Sequence, residues 1–264
     1  MIVDFHTHFY PQKLAARVMT QLQGTSGIRA VTDGTAEDTR QKLLTWGVDR
    51  CVFLPVAATL HFAKSNEFAA ELADDFFIPF GTLHPACPDP EAEVEHIAKL
   101  GLRGIKLHPQ YQQVAIDDLR YVRIIRRAAQ LRLPVIFHAG FDPGLPAPYL
   151  AEPEAIAHLL DQVEDIDGLV LIAAHLGGYQ RYDAVERFLV GRNIWFDTAL
   201  VAGEIAAEQF RRIIERDGAA RILLGSDCPW QSSAAAIEGL HALALPAEDE
   251  AAILGGNAVS LLSL

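Results

Sequence analysis

Cysteine is scarce in this chain, which excludes two common ways of stabilising a fold. The sequence has 3 cysteines, without CxxC spacing, so neither a disulfide framework nor a cysteine-rich zinc site is expected. Reduced thiols are typical of the cytoplasm, which is the location we expect for this protein. Cys228 follows Asp227 at the end of an apolar run. Strand alternation turns it away from that aspartate, so we interpret it as a packed thiol rather than a nucleophile.

Positive charge and long apolar runs are also lacking. Lys and Arg number 22 against 34 Asp and Glu, a formal net charge of −12, and no basic run offsets it locally. This balance repels nucleic acid and anionic membranes, so a small-molecule substrate is the expected partner. No apolar stretch reaches the roughly 18 residues of a membrane span, and no signal peptide is expected at Met1. The oligomeric state stays open, a homo-oligomer included.

The chain does contain a regular alternation of strand and helix patterns. Eight apolar segments rich in β-branched residues end about thirty residues apart, which is the length of one βα unit. The length of 264 residues suits one large α/β domain. We therefore predict a single (β/α)8 TIM barrel over residues 1–264, with an additional C-terminal helix from Glu248 to Leu262. The predicted strands end near His8, Pro55, His84, His108, His138, His175, Thr198 and Asp227.

Helical patterns fill the intervals between the strands. Asp89 and Pro90 provide an N-cap and a first-turn proline, and Gly101 provides a stop, which predicts a helix between them. Further apolar stripes predict helices outside the barrel, at Leu119, Val122, Ile125 and Ala129, at Ile156, Leu159, Leu160 and Val163, and at Ile205, Phe210, Ile213 and Ile214. The stretches Phe9 to Thr32 and Phe141 to Ala151 are predicted to be loops that cover a pocket.

Two histidines with one residue between them, His6 and His8, follow the first apolar run. Side chains alternate faces along a strand, so both imidazoles are expected on one face, together with Asp4. Two imidazoles on one face form a chelating pair. Later apolar runs end in further candidate ligands, which are His138, His175 and Asp227. A barrel gathers strand ends around its mouth whereas an open doubly wound sheet spreads them along an edge, so these residues favour the barrel.

Six segments form an ordered set of motifs along the chain. They are Asp4-Phe5-His6-Thr7-His8, Gly104-Ile105-Lys106-Leu107-His108-Pro109, His138, His175-Leu176-Gly177-Gly178, Gly225-Ser226-Asp227-Cys228-Pro229 and Ile253-Leu254-Gly255-Gly256-Asn257-Ala258. Over essentially its whole length, the chain thereby resembles the amidohydrolase superfamily, in particular amidohydrolase family 2, a branch of metal-dependent hydrolases and decarboxylases. The resemblance implies one divalent metal, with His175 close by as a catalytic residue. The implied ligands are His6, His8, His138 and Asp227.

This ligand set predicts a reaction class. Three imidazoles and a carboxylate suit Zn²⁺ with an open position for water, although Mn²⁺, Fe²⁺ or Co²⁺ can occupy the same ligands. Metal-bound water ionises near pH ~7; Asp227 would take its proton, and His175 would hydrogen-bond the scissile carbonyl or the hydroxide. Asp4 is predicted to orient an imidazole from behind the ligands, or else to pair with a buried lysine. For Asp197, at the end of the seventh strand, a helix N-cap is as good an interpretation as catalysis.

Lys106 and His108 share one face at the end of the fourth strand. Lys106 is predicted to meet a substrate anion; the family resemblance adds the alternative of a carboxylated lysine that bridges two metals. Residues that follow strand ends lie where a barrel has its substrate loops. On this basis the predicted substrate contacts are Lys106, His108, His84, Tyr111 and Trp230. The other histidines fall in helical patterns and are expected to face solvent, namely His61, His96, His158 and His241.

Together these features predict a metal-dependent hydrolase that uses a zinc-activated water to cleave an amide, lactone or ester bond of a small anionic metabolite. The same resemblance covers nonoxidative decarboxylases of carboxylated, aromatic-like substrates, which is the first alternative. A noncatalytic metal-binding barrel is the second, and the intact candidates at every ligand position disfavour it.

Overall fold

The structure, a computed structural model, describes all 264 residues as short parallel strands that alternate with helices. The strands are β1 Val3–Thr7, β2 Arg50–Phe53, β3 in two segments, Phe77–Pro79 and Gly81–Thr82, β4 Ile105–Leu107, β5 Val135–Phe137, β6 Leu171–Ala173, β7 Trp195–Asp197 and β8 Ile222–Leu223. The helices are α1 Gln12–Ser26, α2 Ala36–Thr45, α3 Ala63–Glu71, α4 Pro90–Lys99, α5 Pro109–Gln112, α6 Leu119–Gln130, α7 Pro153–Val163, α8 Tyr182–Phe188, α9 Ala207–Asp217, α10 Ser233–His241, α11 Ala247–Ala251 and α12 Asn257–Leu262.

The strands form a closed ring in chain order. The first segment of β3 pairs with β2 and the second with β4, and the change of partner falls at Phe80, whose amide still donates to Phe53 O at 2.9 Å. The ring closes between β1 and the end of β8, where Phe5 N donates to Leu224 O at 2.7 Å. The predicted barrel is therefore confirmed, and the open sheet is excluded.

Two buried apolar layers hold the barrel together. The interior cluster includes Val3, Phe5, Val52, Leu54, Ile78, Phe80, Ile136, Ile172, Ala174 and Leu223. The second layer lies between strands and helices, and the predicted stripes supply it: all four predicted residues of α7 are buried, as are three of α6, whereas Leu119 is 69% exposed. Asp89 caps α4 as predicted, since its carboxylate accepts from Ala92 N at 3.0 Å.

The predicted C-terminal element is present as α11 and α12, joined by a π-helical turn over Ala252–Gly256. Ala258 and Leu262 of α12 belong to the interior cluster, so this helix closes the end of the barrel opposite the strand C-termini. At Gly255 a Cβ would lie 2.3 Å from Met1 O. The glycine in the last motif is therefore required by close backbone packing.

The connection after β1 differs from the prediction. Phe9 to Thr32 is not a continuous loop, because Gln12–Ser26 forms α1. Only Ala15 and Met19 of this helix are buried and no side chain caps its N-terminus, so the usual sequence signals of a helix are weak here. Residues 141–151 contain no helix or strand, as expected. None of the helices combines the length and apolar character that crossing a membrane requires.

The remaining histidines and Cys228 lie where the sequence predicts, the histidines at the surface and Cys228 in the core. The four histidines of the helical patterns are all exposed. All three cysteines are free and buried. Burial raises the pKa of the Cys228 thiol well above its usual value, so the thiol stays protonated at neutral pH, in keeping with a packed side chain.

Candidate metal centre

A bulge in β1 aims two histidines at the mouth of the barrel. β1 has one extra residue between two successive pairs with β2, Asp4 with Cys51 and Thr7 with Phe53. As a result Phe5 and His6 both face inward: Phe5 packs in the interior cluster and His6 lines the cavity above it. Bulges re-aim side chains in this way beside functional sites. His6 and His8 share the inner side as predicted, and Asp4 does not.

Three of the predicted ligands converge on one point. His6 Nε2, His8 Nε2 and Asp227 Oδ1 form a triangle in which each of the three separations is 3.1 Å. The backbone reinforces this placement, because Asp227 N donates to His6 O at 2.9 Å. Asp227 itself adopts φ 65°, a left-handed conformation that is uncommon for residues other than glycine, asparagine and aspartate.

The hydrogen bonds behind the triangle fit a cation at its centre. His6 Nδ1 lies 2.6 Å from Asp197 Oδ2, and His8 Nδ1 lies 2.6 Å from Leu54 O. Both partners are acceptors, so each Nδ1 carries a proton and each neutral ring presents a bare Nε2 lone pair. Two lone pairs and a carboxylate oxygen 3.1 Å apart repel one another, and a cation at the centre of the triangle would offset that repulsion, as does the Lys106 ammonium 3.2 Å from His6 Nε2. The donor set, two imidazoles and one carboxylate, is one that Zn²⁺ and similar divalent ions accept.

Asp197 is the residue that orients His6, a role that the sequence analysis assigned to Asp4. Its carboxylate is fully buried and also accepts from His175 N at 2.8 Å and Ala199 N at 3.1 Å. Burial alone would raise its pKa, but the neighbouring His6 outweighs that effect, and the pKa lies below its usual value. Asp197 is thus an ionised carboxylate that fixes the tautomer of a candidate ligand, as outer-shell carboxylates do.

Asp4 has a different role because of the bulge. Its carboxylate neither contacts an imidazole nor pairs with a lysine. It accepts four hydrogen bonds instead, from His6 N, Ser226 N, Ser226 Oγ and Ser233 Oγ. The predicted imidazole-orienting role is therefore wrong, and Asp4 ties β1 to the segment after β8 and to α10.

Replacing Asp197 by asparagine is expected to weaken metal binding by about 10- to 100-fold. An amide NH2 facing His6 Nδ1 would favour the tautomer with the proton on Nε2, which cannot ligate a metal. Metal affinity, measured by titration with a competing chelator, checks this. The control is Asp183→Asn, which alters an exposed carboxylate and should leave the affinity unchanged. Equal affinities in the two variants would contradict the role of Asp197.

His138 and His175 form a second chain of hydrogen bonds. His175 Nδ1 lies 3.0 Å from Ala199 O, so it carries a proton and leaves Nε2 as the acceptor. His138 Nδ1 lies 3.0 Å from that Nε2 and can then be the donor. His138 Nε2 lies 3.2 Å from Phe141 O, which is also an acceptor. A neutral His138 has one N–H, so it donates either to His175 or to Phe141 O, and only the first choice leaves Nε2 with a lone pair for a cation. His138 lies outside the triangle, and its place as the fourth ligand remains a prediction.

His138 is grouped instead with His108 and Asp142. Asp142 Oδ2 lies 3.6 Å from His108 Nε2 and 3.9 Å from His138 Nε2. This oxygen is buried and has no hydrogen-bond partner. Burial and the charge of Asp227 raise the pKa of Asp142 to about 7. The sequence analysis missed Asp142 because it lies in a loop and follows no strand pattern.

Lys106 occupies the space between these two groups. Its Nζ is 3.2 Å from His6 Nε2, and the side chain is 1% exposed. Burial lowers its pKa to about 8, although nearby carboxylates counteract that effect. His108 lies on the same strand face, as predicted. Tyr111 N approaches His108 Nδ1 at 3.4 Å, which leaves Nε2 as the protonated nitrogen on the cavity side.

A cavity of about 230 Å³ lies over these groups, with a polar floor and a largely apolar wall. Tyr111 and Trp230 line it as predicted, together with Val18 and Leu22 of α1. His84 does not line it: this residue is half-buried in the turn after β3, where its Nδ1 accepts from Ala86 N at 3.2 Å. Every predicted site residue except His84 and Asp4 therefore lines this cavity. Asp4 is fully buried and does not reach it.

A parallel barrel whose strand ends bring imidazoles and a carboxylate to one point is typical of metal-dependent TIM-barrel enzymes. The family model Amidohydro_2, described as amidohydrolase, matches residues 3–264. The chain belongs to this family. No curated protein matches the sequence.

Three solved structures illustrate the range of proteins with this fold. The 2,6-dihydroxybenzoate decarboxylase from Rhizobium is 18% identical, with a TM-score of 0.73, over 99% of this chain and 98% of that chain. A probable 2-pyrone-4,6-dicarboxylic acid hydrolase from Acinetobacter baumannii is 14% identical, with a TM-score of 0.70, over 100% and 99%. The 5-carboxyvanillate decarboxylase from Novosphingobium aromaticivorans, complexed with manganese, is 16% identical, with a TM-score of 0.71, over 100% and 96%. Both hydrolases and decarboxylases therefore share this architecture.

Proposed function

We propose that this protein is a metal-dependent hydrolase that cleaves an amide, lactone or ester bond in a small anionic metabolite. The observation that carries the proposal is the convergence of His6 Nε2, His8 Nε2 and Asp227 Oδ1, with both imidazoles held in the ligating tautomer. A divalent ion at this point would supply Lewis acidity and a water that ionises near neutral pH. Zinc is our first choice for these ligands, and manganese is the main alternative.

The residues around the triangle suit hydrolysis because they accept protons. Hydrolysis must remove a proton from water and return it to the leaving group. Positive charge on the neighbouring His6 and His8 holds the pKa of Asp227 well below its usual value against the effect of burial, and a bound divalent ion would supply that positive charge where the imidazoles are neutral. In both cases Asp227 is an ionised carboxylate. His175 presents an unprotonated Nε2. Asp227 would take the proton from water, and His175 would exchange its contact with His138 for one with the reacting group.

The test uses protein purified without chelators, metal analysis and a panel of esters, lactones, amides and carboxylated aromatics in H2¹⁸O. We expect one divalent ion per chain and a product carboxylate that contains ¹⁸O. Carbon dioxide without ¹⁸O incorporation into a carboxylate would reject hydrolysis. Two ions per chain would favour the bridging role of Lys106. Metal without turnover of any panel member, combined with unchanged cellular function in the variant Asp227→Asn, would favour a noncatalytic barrel.

Nonoxidative decarboxylation is the second candidate, and one feature of the cavity favours it. Lys106 Nζ and the protonated Nε2 of His108 can hold a carboxylate beside the metal point, under an apolar wall. An apolar environment destabilises a carboxylate relative to water and so favours its departure as neutral carbon dioxide. The electron pair left on carbon would take up a proton, which Asp142 of the cavity could supply because its pKa is raised to about 7. Release of carbon dioxide in the same assay distinguishes this reaction.

Replacing Lys106 by methionine is expected to raise KM for a carboxylated substrate by at least about tenfold, because the point charge that meets the anion is lost. The free energy of unfolding should be unchanged or higher, since Met has a similar shape and removes a buried charge. Steady-state kinetics and urea denaturation measure the two effects. Lys99→Met is the control, because the Lys99 side chain is 76% exposed. An unchanged KM in Lys106→Met would remove this role.

A further inference from the structure

The loop after β5, residues 141–151, forms part of the cavity but makes few hydrogen bonds to the rest of the protein. It contains no helix or strand, and Pro143, Pro146 and Pro148 lack the amide proton that a backbone hydrogen bond requires. In residues 143–149 the only hydrogen bonds to groups outside the loop are those that Pro146 O and Pro148 O accept. The position of this segment therefore depends on the group that donates them.

Gln110 donates both of these hydrogen bonds. Its Nε2 lies 2.9 Å from Pro146 O and 3.3 Å from Pro148 O, and its Oε1 accepts from Leu150 N at 3.0 Å. The residue belongs to α5 and is 4% exposed. Because carbonyls only accept and a backbone N–H only donates, the three partners fix the orientation of the side-chain amide. One buried side chain thus binds three points of the loop backbone.

The loop brings Asp142 to the cavity, where its carboxyl group is poorly satisfied. Asp142 is 7% exposed, and its Oδ2 has no hydrogen-bond partner. Imidazole nitrogens of His108 and His138 lie 3.6 and 3.9 Å from this oxygen, which is beyond hydrogen-bond distance. A buried carboxyl oxygen without a hydrogen bond is unfavourable relative to one in water. Asp142 would gain hydrogen bonds to water by moving outward, so the loop backbone is what keeps it in the cavity.

We infer that Gln110 is a positioning residue that keeps Asp142 in the cavity through its hydrogen bonds to the loop. The segment also makes packing contacts, among them Tyr149 with Phe141 of the same loop and with Arg181. Apolar packing is not directional, whereas hydrogen bonds are, so packing alone specifies the course of the backbone less closely. This inference deepens the proposed function and rests on it, because the cavity is that of the proposed site.

Hydrogen exchange of single amides, followed by NMR on the full chain, tests whether the loop is released in Gln110→Met. Methionine keeps the approximate shape and removes every hydrogen bond of the side chain. The Leu145 amide is the reporter, because it donates to Asp142 O at 3.2 Å within the loop and does not bond to Gln110. We expect its exchange to accelerate at least about tenfold. Acceleration at Leu150 alone, whose partner is Gln110 itself, would overturn the inference, and so would unchanged exchange of both amides.

Asn257→Leu is the matched control. The side-chain amide of Asn257 also donates to two backbone carbonyls, Ala219 O and Ile222 O, both at 2.7 Å. It does so in α12, at the end of the barrel opposite the mouth. We expect this variant to lose stability without faster exchange at Leu145. Equal acceleration in the two variants would mean that Gln110 stabilises the fold in general, and would overturn its positioning role.

Kinetics with a panel member that the protein turns over test whether Gln110 acts through Asp142. Gln110→Met should lower kcat/KM about tenfold in the wild-type background, but less than about twofold when Asp142→Asn is already present. A purely structural role would lower kcat/KM equally in both backgrounds, and that result would overturn the inference. The absence of any loss in the wild-type background would overturn it as well.

Exchange and turnover separate this inference from the proposed function. Faster exchange at Leu145 in Gln110→Met, in a protein that turns over no ester, lactone or amide, would support the positioning of the loop and reject hydrolysis. Hydrolysis of a panel substrate by a protein in which the exchange of Leu145 does not depend on Gln110 would keep the proposed function and overturn the inference.

Discussion

Replacing Asp227 by asparagine is expected to lower kcat/KM by at least about 10³-fold and to release most of the bound metal. The carboxylate contributes one corner of the triangle, 3.1 Å from both His6 Nε2 and His8 Nε2. It is also the nearest ionised group that can accept a proton from water. A neutral amide removes the negative charge that offsets the cation, and it removes the base at the same time.

The fold should survive this substitution, so both losses can be assigned to the side chain. The backbone amide of Asp227 makes the bond to His6 O, and asparagine retains that amide. Asparagine also tolerates the left-handed conformation at this position better than most residues. Metal content by elemental analysis, kinetics and the thermal midpoint are measured together. The control is Asp161→Asn, whose side chain is 63% exposed. Wild-type metal content in Asp227→Asn would show that Asp227 is not a ligand.

The barrel could be predicted because its signals are local and repeated. Most apolar runs are followed by an amphipathic helix, and the ends of those runs, such as His138 and His175, fall at one edge in any parallel arrangement. α1 could not be predicted in this way. It lies over the cavity with only two of its side chains buried, so it lacks the wide apolar stripe of the outer helices.

The side of the strand on which Asp4 lies could not be predicted, because β1 alternates apolar and polar residues in sequence while its register with β2 contains an extra residue. Alternation therefore places His6 and His8 correctly with respect to each other and places Asp4 on the wrong face. Asp197 and His6 are separated by 191 positions. Their contact depends on the closure of the barrel and on the register of several strands, which no local pattern specifies.

Replacing Asp4 by alanine is expected to lower the free energy of unfolding by about 4 kcal/mol, one of the largest effects of any single substitution in this chain. The carboxylate is fully buried and accepts four hydrogen bonds, two of them at 2.6 Å from Ser226 Oγ and Ser233 Oγ. Alanine leaves two backbone amides and two hydroxyls without a partner and leaves a small cavity. Each buried donor without a partner costs roughly 1 kcal/mol or more.

Urea denaturation of the metal-free protein measures this effect without the added stability that metal binding gives to the folded state. Ser233→Ala removes one of the four donors and should cost only about 1 kcal/mol. Asp4→Asn, which keeps the shape and one acceptor, should fall between the two. If Asp4→Ala cost no more than Ser233→Ala, the four bonds would not act as a network.

The same substitution should also weaken metal binding, although Asp4 does not contact the metal point. Its carboxylate accepts hydrogen bonds from the amides of His6 and Ser226 at 3.1 and 3.0 Å. His6 provides one corner of the triangle, and Ser226 directly precedes Asp227, which provides another. In Asp4→Ala the bulge loses the partner that fixes its amide, so His6 and Asp227 are held less firmly at ligating distance. Ser233→Ala leaves both amide bonds in place and should keep the wild-type affinity. A loss of stability without a loss of affinity in Asp4→Ala would mean that Asp197 and Leu54 alone position the two imidazoles.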